Sequence, residues 1–240
     1  MPLDPTILTA AAFIIALGSF LQGAVGFGSA LFAAPLLILL DPRFVPGPLI
    51  FTGLILSVLA MRRDAADFAA SRIGWTLSGR LPGSAVGAAT LGVIPLHELN
   101  VLLATLVLLA IAITVSGFEP RTNRRSLLLA GLLSGFMGTT ASIGGPPLAL
   151  VYQRLPGPAL RWAMAANFLV GGVVSLCLLS MAGRFGPPDL LVGAILLPAS
   201  ALGFAFSHLG ARYVDAGRTR VAVLGVSALS SVAILLQELL

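Results

Sequence analysis

Charge is scarce in this chain, and one kind of charge is missing: of its 240 residues 10% are charged, and the 14 basic side chains are all arginine, with no lysine. Cysteine is present once, as Cys177 within an apolar run, so a disulfide inside the chain and a thiolate metal cluster are both excluded. The two histidines, His97 and His208, stand at the ends of apolar segments, and no His, Cys or acidic cluster falls within one, so an intramembrane enzyme lacks its usual equipment. There is no Gly-rich loop of the Walker type, which excludes ATP hydrolysis by this chain. These absences point to a protein that is not an enzyme and holds no cofactor and no metal.

What is present is apolar. With 58% hydrophobic residues, the chain runs through one near-spanning apolar segment after another, which a water-soluble domain cannot carry. The runs are longer and more continuous than the alternating ten-residue strands of a membrane β-barrel, so the expected class is an all-α polytopic membrane protein. Asp4 and Pro5 read as the N-cap and first turn of the first helix, with no basic leader of the kind a cleaved signal peptide carries. The basic balance reads as membrane orientation through loop arginines rather than a nucleic-acid surface.

Apolar segments lie at 6–40, 46–61, 74–94, 98–118, 126–153, 160–182, 189–209 and 219–237, four in each half. The halves are related. Gly23, Gly26 and Pro35 recur 112 positions later as Gly135, Gly138 and Pro147, while Leu81-Pro82 and Ser84-Ala85-Val86-Gly87 recur 116 positions later as Leu197-Pro198 and Ser200-Ala201-Leu202-Gly203. Several matches in the same order signal internal repetition, and the chain divides into repeats 1–120 and 121–240 within a single transmembrane domain.

The arginines choose between two topologies. If all eight segments cross once, the loop arginines divide seven against six and give no orientation. If segments 1 and 5 are hairpins that return to the side they entered, eleven fall on one side and only Arg43 and Arg184 on the other. The second arrangement obeys the positive-inside rule, makes the repeats inverted and is the one favoured.

Segments 1 and 5 are also where a helix is locally expensive. Gly26-Phe27-Gly28-Ser29 and the stretch Gly138 to Pro147 concentrate Gly, at about 1 kcal/mol against Ala, and Pro, at about 3. A break there exposes main-chain groups that lipid cannot satisfy, so it must be buried or line a wet cavity. Paired broken segments in corresponding halves are the sequence pointer to a transporter's substrate site, and half-helix starts suit an anion. Candidate binding residues are therefore Gln22, Gly26, Phe27, Gly28 and Ser29 in the first copy. Thr139, Thr140, Ser142, Gly144 and Gly145 are their counterparts in the second, with the amide of Leu148 an added donor. Arg80, roughly 10 Å inside the third segment, reads either as a fixed positive charge for that anion or as a side chain snorkelling to the interface. Asn167 and Gln153 add polarity, either to a site or to helix packing. Gly131 and Gly135, taken alone, read as residues of close helix packing.

Gly23-Ala24-Val25-Gly26-Phe27-Gly28 through Pro35, and Gly131 to Gly138 through Gly144-Gly145-Pro146-Pro147-Leu148, resemble the paired signature of the TauE/SafE family of sulfite exporters. The resemblance covers essentially the whole chain. Where the family commonly has a Gly-Gly-Gly run, this chain has Phe27-Gly28-Ser29-Ala30. It implies a multi-pass protein of the bacterial inner membrane that carries a small anionic substrate such as sulfite or an organosulfonate, with the lipid bilayer as its surroundings and homo-oligomer formation left open. An anion channel with an amide-lined filter, or a carrier of another small organic anion, is the alternative.

Overall fold

The computed structural model describes residues 4–64, 70–117, 119–210 and 216–239, and among them it holds helices and no strand. The helices are α1 Pro5–Val25, α2 Ser29–Leu40, α3 Gly47–Arg63, α4 Ala70–Val93, α5 Leu96–Val115, α6 Arg124–Ala141, α7 Gly145–Tyr152, α8 Gly157–Met181, α9 Pro187–Gly210 and α10 Ala216–Leu239. Five of them, α1, α3, α5, α8 and α9, are long and apolar enough to cross a membrane. The protein is a multi-pass helical membrane protein. Its start follows the expected chemistry: the Asp4 carboxylate accepts from the Thr6 amide at 2.8 Å, and Pro5 opens α1.

Both suspect segments are broken. Helix α1 ends at Gly26 with φ 100, and Gly28, with φ 107, precedes α2; both angles lie in the left-handed region that glycine enters without a Cβ penalty. Helix α6 ends at Ser142 with φ 64, a non-glycine residue in the same region, and its hydroxyl donates to the Pro46 carbonyl at 3.1 Å. Gly26 and Ser142 are 116 positions apart, the offset of the Leu-Pro motifs, so Gly138, the alignment partner of Gly26, falls inside α6 rather than at its end.

Each break turns the chain back on itself. A Cβ on Gly18 would lie 3.5 Å from that of Ala33, whereas fifteen residues of continuous helix would separate them by about 22 Å. In the second hairpin, a Cβ on Gly144 would lie 2.8 Å from the Ser134 carbonyl. The two halves interlock around these hairpins. Helix α1 packs on α9 and α6 on α4; α2 packs on α10 and α7 on α5; α3 packs on α8 and α5 on α10.

The closest of these crossings is α4 on α6. A Cβ at Gly79, Gly83, Gly131 or Gly135 would overlap a main-chain oxygen of the facing helix, those of Leu128, Leu132, Thr76 and Arg80 respectively. Glycine is what lets the two backbones touch, as in small-residue membrane interfaces. The arginines sort to the two ends of the bundle. Arg63 and Arg161 meet on Asp64, Arg124 lies over the Trp75 ring, and Arg154 pairs with Glu119. At the opposite end Arg43 pairs with Asp41, Arg184 donates to the Ile94 carbonyl, and Phe185 abuts Gly47. Arg212 lies outside the described residues, as do the side chains of Arg72, Arg218, Arg220 and His97.

Gly131→Leu is expected to lower the melting temperature in detergent micelles, with overpacking costing about 1–3 kcal/mol or more. Gly74→Ala, where an added Cβ meets open space, is expected to hold or raise it by up to about 1 kcal/mol of helix propensity. Equal melting temperatures for the two variants would show that main-chain contact does not set the α4–α6 crossing.

Candidate functional site

The two breaks and Arg80 meet at one cavity of about 70 Å³. Gln22, Gly28 and Ser29 reach it from the first hairpin, and Ser142, Gly144 and Gly145 from the second. Gly138 and Arg80 form one wall; Gly53 of α3 and Phe168, Gly172 and Ser175 of α8 form another. The N-caps of α2 and α7, Gly28 and Gly144, offer no side-chain hydrogen bond, so the first amides of α2 have no side-chain cap at this space, and neither does the Gly145 amide of α7, whose next two residues, Pro146 and Pro147, carry no N–H.

Arg80 does not snorkel. Its side chain is 4% exposed and turned inward, where Nη1 donates to the Ser134 hydroxyl at 2.9 Å and the guanidinium lies 5.7 Å from the centre of the Phe168 ring. Nε has no partner, and among the described residues no carboxylate pairs with Arg80. Glycine makes the room. A Cβ on Gly171 would overlap Nε, and one on Gly138 would lie 3.1 Å from Nη2. The α4–α6 crossing is what sets Arg80 opposite Ser134, a residue 54 positions away.

The other sequence candidates divide. Gln22 accepts a hydrogen bond from the Ser29 hydroxyl, which closes the first hairpin across its own break. Phe27 packs on Gly145, 3.5 Å from where a Cβ would stand, so the two hairpins touch at their tips. Gly26 lies beneath Arg161. Thr139 shares a hydrogen bond of 2.7 Å with Ser175, one shell behind the cavity. Thr140 spends its hydroxyl on the Phe136 carbonyl of its own helix, and Asn167 donates to the Tyr152 hydroxyl at 3.3 Å and the Ala163 carbonyl at 3.0 Å; neither lines the cavity. Leu148 is fully buried in an apolar cluster. Ser175, Phe168 and Gly53 carry no local sequence signal; they line the cavity because α3 and α8 pack on each other and on α4 and α9.

One carboxylate at the end of an apolar segment is buried beside the first break. Asp64 caps the end of α3 and is 7% exposed. Arg161 donates to it from Nε at 2.9 Å and from Nη2 at 2.6 Å, and Arg63 donates from Nη2 at 2.9 Å. Arg63 also donates to the Gly23 carbonyl at 2.7 Å and to Ser207 at 3.2 Å, and stacks 4.7 Å from the Phe204 ring. This cluster ties the end of α1 to α3, α8 and α9, directly against the first break. Burial alone would push the Asp64 carboxyl up; the hydrogen bonds and charges of Arg161 and Arg63 outweigh it and hold the group below its ordinary value.

A depressed carboxyl contributes stability above the unfolded value of about 3.9 and loses it as the pH falls through the folded one. The melting temperature should therefore keep this contribution from pH 8 to 5 and lose it in stronger acid. Asp64→Asn is expected to lower stability at pH 7 by about 1.5–3 kcal/mol, the scale of hydrogen bonds to charged groups, and to flatten the acid limb. An unchanged acid limb in thermal melts of the variant would show that Asp64 is not its source.

The profile of the family described as Sulfite exporter TauE/SafE matches residues 10–234, nearly the whole chain. Among curated proteins and among solved structures no match is found. The matched region takes in both broken hairpins, the α4–α6 crossing and every residue lining the cavity. The chain belongs to the TauE/SafE family of sulfite exporters and is a membrane transporter.

Proposed function

We propose that this transporter is a secondary carrier of a small sulfur-containing anion, sulfite or an organosulfonate, held between the ends of its two broken helices near the membrane midplane. The observation that carries the reading is the convergence on one cavity of two uncapped half-helix starts and a buried guanidinium with no carboxylate beside it. Helix starts present positive dipole ends and free amides, and a buried cation without a counter-ion costs several kcal/mol unless an anion arrives. The volume fits. About 70 Å³ on a scale where one water needs about 10–15 Å³ admits roughly five water-sized atoms, the size of a sulfur oxyanion or of a sulfonate head.

The repeats are read as inverted. Helix α1 reaches the arginine-rich end with its C-terminus, where Arg63 holds Gly23, whereas α6 leaves that end with its N-terminus, where Arg124 meets Trp75. On this reading the arginine-rich end faces the cytoplasm of a bacterial cell, by the positive-inside rule. The Asp64–Arg161 pair joins residues of the two halves, and rocking one half against the other breaks it. It serves as the cytoplasmic closure. Asp64, held ionised at neutral pH by its two arginines, is not a proton carrier in this scheme, and the substrate moves down its own gradient.

Arg80→Gln is expected to weaken sulfite binding by about 10- to 100-fold, the loss of one charged hydrogen-bonding partner at about 1.5–3 kcal/mol. Arg62→Gln, an exposed neighbour of the latch, is expected to bind as the parent does. Thermal-shift titration of both proteins with sulfite measures this, and equal affinities would remove Arg80 from the site. In proteoliposomes the carrier gives saturable flux, and unitary currents would replace it by a channel.

A further inference from the structure

A second hollow, larger than the cavity at the two breaks, lies elsewhere in the described structure. A groove of about 750 Å³ lies between the last turns of α5, the first half of α6 and the short α7. Its walls are aliphatic, with Ile113, Leu129, Leu133 and Leu150 among them, and Leu129 is 62% exposed. Helix α2 has 12 residues and packs along α10, whereas its counterpart α7 has eight and packs on α5 and α6 beside the groove.

Its mouth is cationic. Arg121 and Arg125 stand at the arginine-rich end of the groove, both exposed, and neither has a side-chain partner among the described residues. Their neighbours are all engaged: Arg124 lies over the Trp75 ring at 5.2 Å, and Arg154 holds Glu119, the carboxylate closest in sequence. The spacing of the free pair is fixed by the capping box of α6. Asn123 accepts from the Ser126 amide at 2.9 Å, and the Ser126 hydroxyl donates to the Arg121 carbonyl at 2.6 Å, which folds the linker onto the first helical turn.

An apolar trough that opens beside two unpaired cations at the membrane surface has the chemistry of one ligand class. We infer that this groove is a binding site for an anionic phospholipid, with an acyl chain between α5 and α6 and the phosphodiester on Arg121 and Arg125. Charge complementarity sets the occupant: a neutral lipid fills the aliphatic part equally well and leaves both guanidinium groups unused, whereas basic residues at a membrane surface attract anionic headgroups by about 1 kcal/mol each. The site is separate from the substrate cavity, and its test needs no transport.

The full-length protein in neutral detergent is titrated with phosphatidylglycerol and with phosphatidylcholine of the same acyl chains, with melting temperature and lipid retention in native mass spectrometry as readouts. The expected result is stabilisation and retention by phosphatidylglycerol, with phosphatidylcholine binding about thirtyfold more weakly, the product of two such arginines. Arg121→Gln with Arg125→Gln should erase that difference. Leu133→Trp, which fills the trough and leaves the arginines in place, should weaken retention of both lipids. Equal retention of the two lipids by the parent protein would overturn the proposal in favour of non-selective boundary lipid. An unchanged preference in the double variant would overturn it as well, and so would equal stabilisation by inorganic phosphate, which would make the arginines a phosphate site without a lipid.

Discussion

A buried guanidinium with no carboxylate beside it among the described residues is costly, and most of the surrounding design follows from it. Arg80 keeps its place because two helices approach until their main chains touch, at Gly79 and Gly83 on one and Gly131 and Gly135 on the other. That approach brings Ser134 within 2.9 Å as its single hydrogen-bond acceptor. Gly171 and Gly138 then leave the volume that the planar group occupies. Small residues do two separate jobs here: they close one pair of helices and hollow out the space beside them.

The broken hairpins supply the other half of the site, and their physics is local. A helix start that opens on lipid would strand its unpaired donors, so the breaks have to turn away from it. They face one another, since Phe27 of one lies on Gly145 of the other and both breaks border the cavity.

The breaks were legible in the sequence because Gly and Pro act on the backbone where they stand. So were the helical class, the first cap at Asp4, and the packing role of Gly131 and Gly135. Arg80 was legible only as an alternative: depth within a segment says that the charge is expensive, whereas Ser134 and Gly171, which settle where it points, lie on other helices. Thr140 and Asn167 have the right chemistry for an anion site but spend it inside the protein, on the Phe136 carbonyl and on Tyr152. A hydroxyl within a helix has its own turn as a ready acceptor, and composition does not reveal that choice. Asp64 was hidden for the opposite reason. It follows an apolar run and two arginines and reads as a solvated loop, and nothing near it announces Arg161, 97 residues further on.

Leu196 occupies, 116 positions later, the place that Arg80 holds in the first repeat, and it is wholly buried in the apolar core. Among the described residues that border the cavity Arg80 is the one cation, and its counterpart is a neutral aliphatic side chain. The space between two similar hairpins is therefore electrically polar, with its positive pole on the α4 wall.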